Sequence, residues 1–208
     1  INSQELKFTK EQLAGIREKG IIYDLPVPII KTGAYQFRVA LRDWTSGKIG
    51  AASQFIEVPN LKKNKLTLSS FILESYTPEE WKKISLGQTK DINNRSAFLD
   101  TTLRRFNRGT LLRYRYVIYN AKTDKTQNPQ LQIQTRIIRD GKVILEGSPI
   151  PFNRQGQTDL QRIQASGAIT LGKDLTPGNY ILQVIVFDNA SGGKPRFATQ
   201  YVEFEIVN

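Results

Sequence analysis

The sequence predicts an all-β protein made of two tandem immunoglobulin- or fibronectin-like β-sandwich modules, the first of them incomplete in this chain. Three observations lead to this prediction. Short segments alternate between apolar and polar residues, as half-buried strands do. Turn residues separate these segments at the short intervals typical of sandwiches. Finally, the segment "GAYQFRVALRD" at 33–43 returns 145 residues later as "GNYILQVIVFD".

Each copy of this repeat predicts an antiparallel β-hairpin. The inward positions of the first copy are Tyr35, Phe37, Val39 and Leu41, and the outward positions are Gln36, Arg38, Ala40 and Arg42. A returning strand, "SQFIEV", follows the first copy, and "TQYVEFEI" follows the second with the same order of glutamine, aromatic, β-branched residue and glutamate. Two structural units therefore end in the same hairpin.

The boundary between the two units is predicted near Lys63, inside the basic linker "PNLKKNKL". Residues 1–62 then form the C-terminal part of a first sandwich, with a helix at about 10–19, one strand within "IIYDLPVPII" at 21–30, and the hairpin. A sandwich needs about seven strands. We therefore expect the rest of the first module to lie upstream of Ile1 or in another chain.

Residues 63–208 predict a complete second sandwich with a helical insertion. The insertion holds a short helix at 78–84, opened by a proline, and a loop at 85–97. The strands expected before the repeated hairpin lie at 66–75, 109–120, 130–139, 142–147 and 167–171. The segment "RDGK" predicts a tight turn. In "LTPGNY", the hydroxyl of Tyr180 is expected to bond back to the nearby backbone, as in the tyrosine corner of sandwiches.

The composition excludes several kinds of chemistry. Cysteine, histidine and methionine are absent, which rules out disulfides, thiol nucleophiles, zinc ribbons and histidine-based catalytic triads. The densest carboxylates are Glu74, Glu79 and Glu80, and adjacent glutamates at a helix start favour the helix dipole rather than facing each other across a cleft. The sequence therefore predicts no catalytic residue, no metal site and no cofactor.

The net charge of +11 allows binding to an acidic polymer. The candidate residues lie in "RRFNRGTLLRYRY" and are Arg104, Arg105, Arg108, Arg113 and Arg115. The same alternation is also that of a strand whose arginines are simply solvated. No helix-turn-helix or RNA-binding sheet motif accompanies them, so no specific nucleic acid is predicted. No run of 18 apolar residues exists that would span a membrane.

A second candidate surface lies on the outward side of the repeated strand. Ile181, Ile185 and Phe187 stand where the first copy has polar or small residues, so they need a cover. Two covers are open: the helix at 78–84, which offers Trp81 and Ile84, or a partner protein. We favour the helix, because it is tethered to the same chain.

The segments "GAYQFRVALRDWTSGKIGAASQFIEVPNL", "RRFNRGTLLRYRYVIYNA", "IIRDGKVILEG" and "LTPGNYILQVIVFD" resemble the region that follows the von Willebrand factor A domain in bacterial VWFA-related proteins of the acidobacterial type. The resemblance implies export from the cytoplasm and an upstream metal-binding A domain. The signature of that domain, Asp-x-Ser-x-Ser, is absent here, so its adhesion site is not carried over.

The predicted function is a non-catalytic, extracytoplasmic scaffold or protein-interaction region, such as an accessory subunit of a larger assembly. Its partners are other chains or an upstream domain of the same protein. The alternative is a module that binds an acidic polymer or a carbohydrate through the arginine strand.

Overall fold

The structure is a computed structural model that describes residues 5–19, 23, 25–87, 102–154, 156–190 and 196–208. Within these residues the chain forms two α-helices, twelve β-strands and one short 3-10 helix at Leu61–Lys63. The helices are α1 (Lys10–Lys19) and α2 (Pro78–Ser85). The strands are β1 (Gly33–Arg42), β2 (Ile49–Val58), β3 (Thr67–Leu68), β4 (Ile72–Tyr76), β5 (Arg105–Asn107), β6 (Leu111–Tyr119), β7 (Leu131–Arg139), β8 (Lys142–Glu146), β9 (Ile150–Pro151), β10 (Arg162–Thr170), β11 (Gly178–Asp188) and β12 (Arg196–Val207).

Two sheets of unequal width form a β-sandwich from β3 onwards. The four-stranded sheet has the order β10-β6-β3, and β4 also pairs with β6. The six-stranded sheet has the order β5-β12-β11-β7-β8, and β9 also pairs with β7. All pairs in the two sheets are antiparallel except β12 with β5. An all-β sandwich, the predicted fold class, is therefore confirmed.

The core lies between the two sheets and comes from alternate residues of the long strands. β6 and β11 bury every second side chain over most of their length, and β12 does so from Val202 onwards, as expected for strands with one face on a core. The most deeply buried apolar side chains, each 0% exposed, are Phe106, Leu112, Ile118, Ile163, Leu182, Val184 and Val186.

Most predicted elements of the second unit are found. The strands at 109–120, 130–139 and 142–147 correspond to β6, β7 and β8, and both predicted helices are present. The strand expected at 66–75 is divided into β3 and β4, and the one at 167–171 begins earlier, at Arg162. The turn between β7 and β8 has positive φ at Asp140 and Gly141, as a tight hairpin turn requires. Of the predicted loop, residues 88–97 lie outside the described residues.

The strand predicted within 21–30 is wrong. Residue 23 and residues 25–30 have no strand assignment. Pro26 and Pro28 have no backbone N–H to donate to a neighbouring strand, so this segment is a poor strand candidate despite its apolar side chains.

The first unit contains a two-stranded antiparallel sheet, the hairpin of β1 and β2. Among the described residues, no further strand pairs with it. The tandem arrangement of two modules, the first of them incomplete in this chain, therefore stays a prediction. Neither described helix is long and apolar enough to cross a membrane.

Candidate interaction surfaces

The two hairpins share the same tyrosine corner. The Tyr180 hydroxyl donates a hydrogen bond to the Thr176 carbonyl oxygen over 2.6 Å, as predicted. The Tyr35 hydroxyl donates to the Lys31 carbonyl oxygen, also over 2.6 Å and also four residues back. The corner fixes how the chain enters the first strand of each hairpin.

The backbone at the start of each hairpin is also the same. Gly33 has a φ of 144° and Gly178 has a φ of 142°. Residues with a side chain rarely adopt such angles, so glycine is required at both positions. The repeat therefore marks two structurally equivalent hairpins, of which, among the described residues, only the second lies in a sandwich.

The surroundings of the two hairpins differ completely. The inward side chains of β11, from Tyr180 to Val186, are at most 2% exposed. Of their equivalents on β1, Val39 is 47% exposed and Leu41 is 68% exposed, and Trp44 beyond the strand is 85% exposed. We call the inward side of β1 (Tyr35, Phe37, Val39 and Leu41) the open hairpin face. Tyr35 and Phe37 on this face are half-buried, whereas Val39 and Leu41 are exposed, so the face is a candidate interaction surface.

The predicted surface on β11 lies on the outer side of the six-stranded sheet. Ile181, Ile185 and Phe187 are half-buried. Phe187 stands directly opposite Phe197 of β12, which is 65% exposed. Neighbouring strands of the same sheet therefore provide part of the cover, and an apolar strip remains accessible.

The helix α2 does not provide the expected cover. Thr77 caps it: the Thr77 hydroxyl accepts from the Glu80 N–H, and the Glu80 carboxylate accepts from the Thr77 N–H. The Trp81 ring lies 6.0 Å from the ring of Tyr76 on β4, which belongs to the four-stranded sheet. Trp81 is therefore not brought together with Ile181, and the preference for a local cover by this helix is wrong.

The predicted arginines fall into two groups, the first of them around β5. Arg105 forms an ion pair with Glu205, with 2.8 Å between its Nε and the Glu205 Oε2. Arg108 donates to the Asn208 side-chain oxygen over 2.7 Å. Arg104 accepts a backbone hydrogen bond from Glu205 at its carbonyl oxygen. These contacts anchor β5 to the end of β12.

The second group lies on the outer side of β6, in the other sheet. Arg115 makes a two-point ion pair with Glu74, at 2.9 and 3.1 Å. Arg113 stands opposite Glu74 and near Tyr76. Burial and the Glu74 charge raise the pKa of Tyr76, and the Arg113 charge opposes this rise. The structure therefore does not place the five arginines on one strand, and polyanion binding stays a prediction.

Two tyrosine hydroxyls, those of Tyr114 and Tyr116, lie in the interior of the sandwich. Burial raises the pKa values of Tyr114 and Tyr116, so both phenols stay protonated. The Tyr116 hydroxyl is buried and has no hydrogen-bond partner among the described residues. The pKa of Asp124 is lowered to about 2, chiefly by the Thr126 hydroxyl, but this carboxylate lies in an exposed turn. Within the part of the chain that the structure describes, no three potential ligands are grouped to hold a metal ion.

A buried ion pair ties the linker to the sandwich. The Asp188 side chain is 0% exposed and accepts from Arg196 over 3.2 Å. Arg196 also donates to the carbonyl oxygens of Asn64 and Asn120. The equivalent of Asp188 in the first hairpin is Asp43, whose carboxylate accepts from residues of its own exposed turn.

The free edge of β10 was not predicted from the sequence. β10 is the last strand of the four-stranded sheet. On its open side, the Gln157 side chain bonds both the N–H and the carbonyl of Gln164, at 2.7 and 2.9 Å. These two hydrogen bonds replace those of a neighbouring strand at Gln164 only. The segment "SGA" at 166–168 carries no apolar pattern or charge that would have drawn attention to it.

Comparisons with known proteins do not name a family. The chain matches no protein-family model and no curated protein. Among solved structures, it is similar to a Niemann-Pick type C2 protein from the Japanese carpenter ant, with 8% identity and a TM-score of 0.33. The match covers 69% of this chain and 93% of that one. A score at this level establishes neither a shared fold nor a shared function.

Proposed function

We propose that this protein is a non-catalytic scaffold or protein-interaction module that works outside the cytoplasm, and that the β1–β2 hairpin is its binding element. The observation that carries this proposal is the open hairpin face. It has the register, the corner and the apolar pattern of a hairpin that, in the second unit, lies in a sandwich core.

The energetic reason is the apolar surface that the hairpin leaves in water. An isolated two-stranded hairpin is marginally stable at best. Burying one large apolar side chain stabilises by about 1.5–3 kcal/mol. Val39 is 47% exposed and Leu41 is 68% exposed. A partner that covers these two side chains therefore gains part of this burial free energy from each.

The linker supports a role in assembly because it is bonded to the sandwich. The Asn120 side-chain amide donates to the carbonyl oxygens of Leu61 and Lys65, over 2.9 and 3.1 Å. A partner that binds the hairpin is therefore connected to the sandwich through a bonded segment rather than a free tether.

The remaining parts of the proposal depend on the sequence. The chain lacks the residues of the common nucleophile–histidine and metal centres, which supports a non-catalytic role. The location outside the cytoplasm, and an attachment to an upstream domain, come from the resemblance to VWFA-related proteins.

The test is site-specific photo-cross-linking in the cells that make the protein. A photoreactive residue at Leu41 should give one or a few discrete cross-linked products, because this position lies on the open hairpin face. The same residue at Asp140, an exposed side chain in a polar turn, is the matched control and should give none. If Leu41 yields no discrete product, the hairpin is not a binding element and the proposal fails.

A further inference from the structure

We propose that the open hairpin face of one copy docks on the free edge of β10 in a second copy, so that β1 becomes an added strand of the four-stranded sheet. This inference rests on the proposed function and names the partner: another molecule of the same chain. The two surfaces involved are different, and each supplies what the other lacks.

The backbone of β10 shows which groups are open for an added strand. Gln164 faces Val117 of β6, and the Val117 N–H and carbonyl bond to Ser69 on the far side. Gln164 and Val117 are therefore a non-hydrogen-bonded pair, and the Gln164 backbone groups point outward to Gln157. Hydrogen bonding alternates along a strand, so the backbone groups of Ser166 and Ala168 point outward too.

The outward backbone groups of Ser166 and Ala168 have no hydrogen-bond partner among the described residues. Gln157 satisfies the edge at Gln164 only. Ser166 and Ala168 follow on the same side without an equivalent side chain. An unpaired row of this kind on a nine-residue strand is a template for a further strand.

An apolar floor extends beyond β10. The Tyr114 hydroxyl bonds to Thr135 on β7, and Tyr114 also lies against Gly167, so β10 is stacked above β7. β8 and β9 pair with the edge of β7 that faces away from β11. In this stacking they extend beyond the edge of β10. Their inward side chains include Leu145, which is 46% exposed, and Ile150, which is 67% exposed. We call the β10 edge together with this floor the β10 slot.

The hairpin has the complementary features. β1 is ten residues long, close to the nine of β10, and its second edge is unpaired within the described residues. Placed beside β10, it would hydrogen-bond to Ser166 and Ala168 and turn its apolar side towards Leu145 and Ile150. The same contact would then cover the open hairpin face and the floor.

The second hairpin shows that the first strand of such a hairpin can pair with a third strand along its other edge. β11 pairs with β12 on one edge and with β7 on the other, both antiparallel. By the repeat, the edge of β11 that holds β7 corresponds to the bare edge of β1. The contact that we propose therefore reproduces, between two copies, an arrangement that already exists inside one.

Charge sets the conditions under which the contact forms. Each copy has a net charge of +11, so two copies repel each other at low ionic strength. Added salt screens this repulsion and should strengthen the association. Binding of a polyanion by the same chain would weaken with salt, so the two activities are separable.

The test uses two full-length variants with complementary defects. Ala168→Pro removes the outward N–H from the β10 slot, and an edge strand tolerates proline where its N–H faces solvent. Val39→Asp with Leu41→Asp puts charges on the open hairpin face. The wild-type chain should show mass that rises with concentration in sedimentation equilibrium. Each variant alone should remain monomeric, and an equal mixture should form a 1:1 dimer that grows no further, because one good slot and one good hairpin remain.

The control is Ala168→Ser, which keeps the N–H and should associate like the wild type. Ser166→Pro gives a second blocked slot if Ala168→Pro loses its cooperative thermal transition. A wild-type chain that stays monomeric at high salt, a slot variant that still associates, or a mixture without dimer would each overturn the inference. If the wild-type chain stays monomeric but Leu41 cross-links to a different protein, the inference of self-association fails and the proposed function stands. If Leu41 gives no cross-link either, the inference and the proposed function both fail.

Discussion

The two hairpins have the same local construction and opposite surroundings. Both begin at a glycine with positive φ, 144° at Gly33 and 142° at Gly178. Both have a tyrosine corner with a hydrogen bond of 2.6 Å, and both pair in regular antiparallel register. Yet Val184 is 0% exposed and its equivalent, Val39, is 47% exposed. Local sequence thus specifies the hairpin, while the stabilising burial comes from the rest of a sandwich. Matched substitutions at equivalent positions test this difference directly.

The largest expected effect is at the central inward position. Val184→Asp places an unpaired charge in the core and should cost about 5 kcal/mol or more, which is enough to prevent folding. At low salt and low protein concentration, where the chain is monomeric, Val39→Asp should leave the thermal midpoint unchanged, because the side chain stays in water. Circular dichroism during heating measures both. A large loss of stability in Val39→Asp would mean that the first hairpin is covered after all.

The next effect concerns the aspartate at the end of each hairpin strand. Asp188→Asn removes the charge partner of Arg196 and should cost about 3 kcal/mol, as breaking a buried ion pair does. Asp43→Asn changes a carboxylate in an exposed turn and should cost less than about 1 kcal/mol. Urea unfolding of the two variants gives both values. Equal costs would show that the Asp188 pair contributes no more than an ordinary turn.

A smaller difference is expected at the tyrosine corners. Tyr180→Phe removes a hydroxyl that donates to Thr176 and accepts from Arg139, so the free energy of unfolding should fall by about 1–2 kcal/mol. Tyr35→Phe removes a corner from a hairpin that adds little to global stability, so unfolding of the sandwich should be unaffected. Its effect should appear instead as faster amide hydrogen exchange within 33–58. Unchanged exchange rates at 33–58 would show that the Tyr35 hydrogen bond does not stabilise the first hairpin.

The smallest effect is expected on the outward sides. Phe187→Arg gives β11 the residue found at the equivalent Arg42 of β1. Phe187 is only half-buried and the arginine stem can still cover Phe197, so the cost should be about 1 kcal/mol. The reverse exchange, Arg42→Phe, should leave the free energy of unfolding unchanged. A cost for Phe187→Arg as large as that of a core substitution would show that the outer face is buried by something other than its own sheet.

Much of the fold could be predicted from the sequence, because strand periodicity and turn chemistry are local signals. The alternation in 111–119 and 178–188 and the glycine in "RDGK" specify strands and turns from a few residues each. The strands β5 and β9 were missed because they are only three and two residues long. Their existence depends on the partner strands β12 and β7, which lie far away in sequence.

The candidate surfaces could be predicted only in part, because exposure depends on the relative width and order of the sheets. The apolar alternation at 35–41 is visible in the sequence. That these side chains have no second sheet packed on them is not. Likewise, nothing in "PEEWKKI" shows that Trp81 packs on Tyr76 instead of Ile181. The edge of β10 depends on which strand ends a sheet, and that information is not local.

The bonds between the linker and the sandwich determine how the molecule carries mechanical load. A partner that pulls on the hairpin transmits force through the linker to β3, which is only two residues long and would unzip easily by itself. The Asn120 side chain donates hydrogen bonds to the carbonyl oxygens of Leu61 and Lys65, and Arg196 donates one to that of Asn64. These hydrogen bonds bear the force together before it reaches β3. Tension is thereby shared between the ends of β6 and β12, two strands that reach into the core, and the short strand is shielded from it.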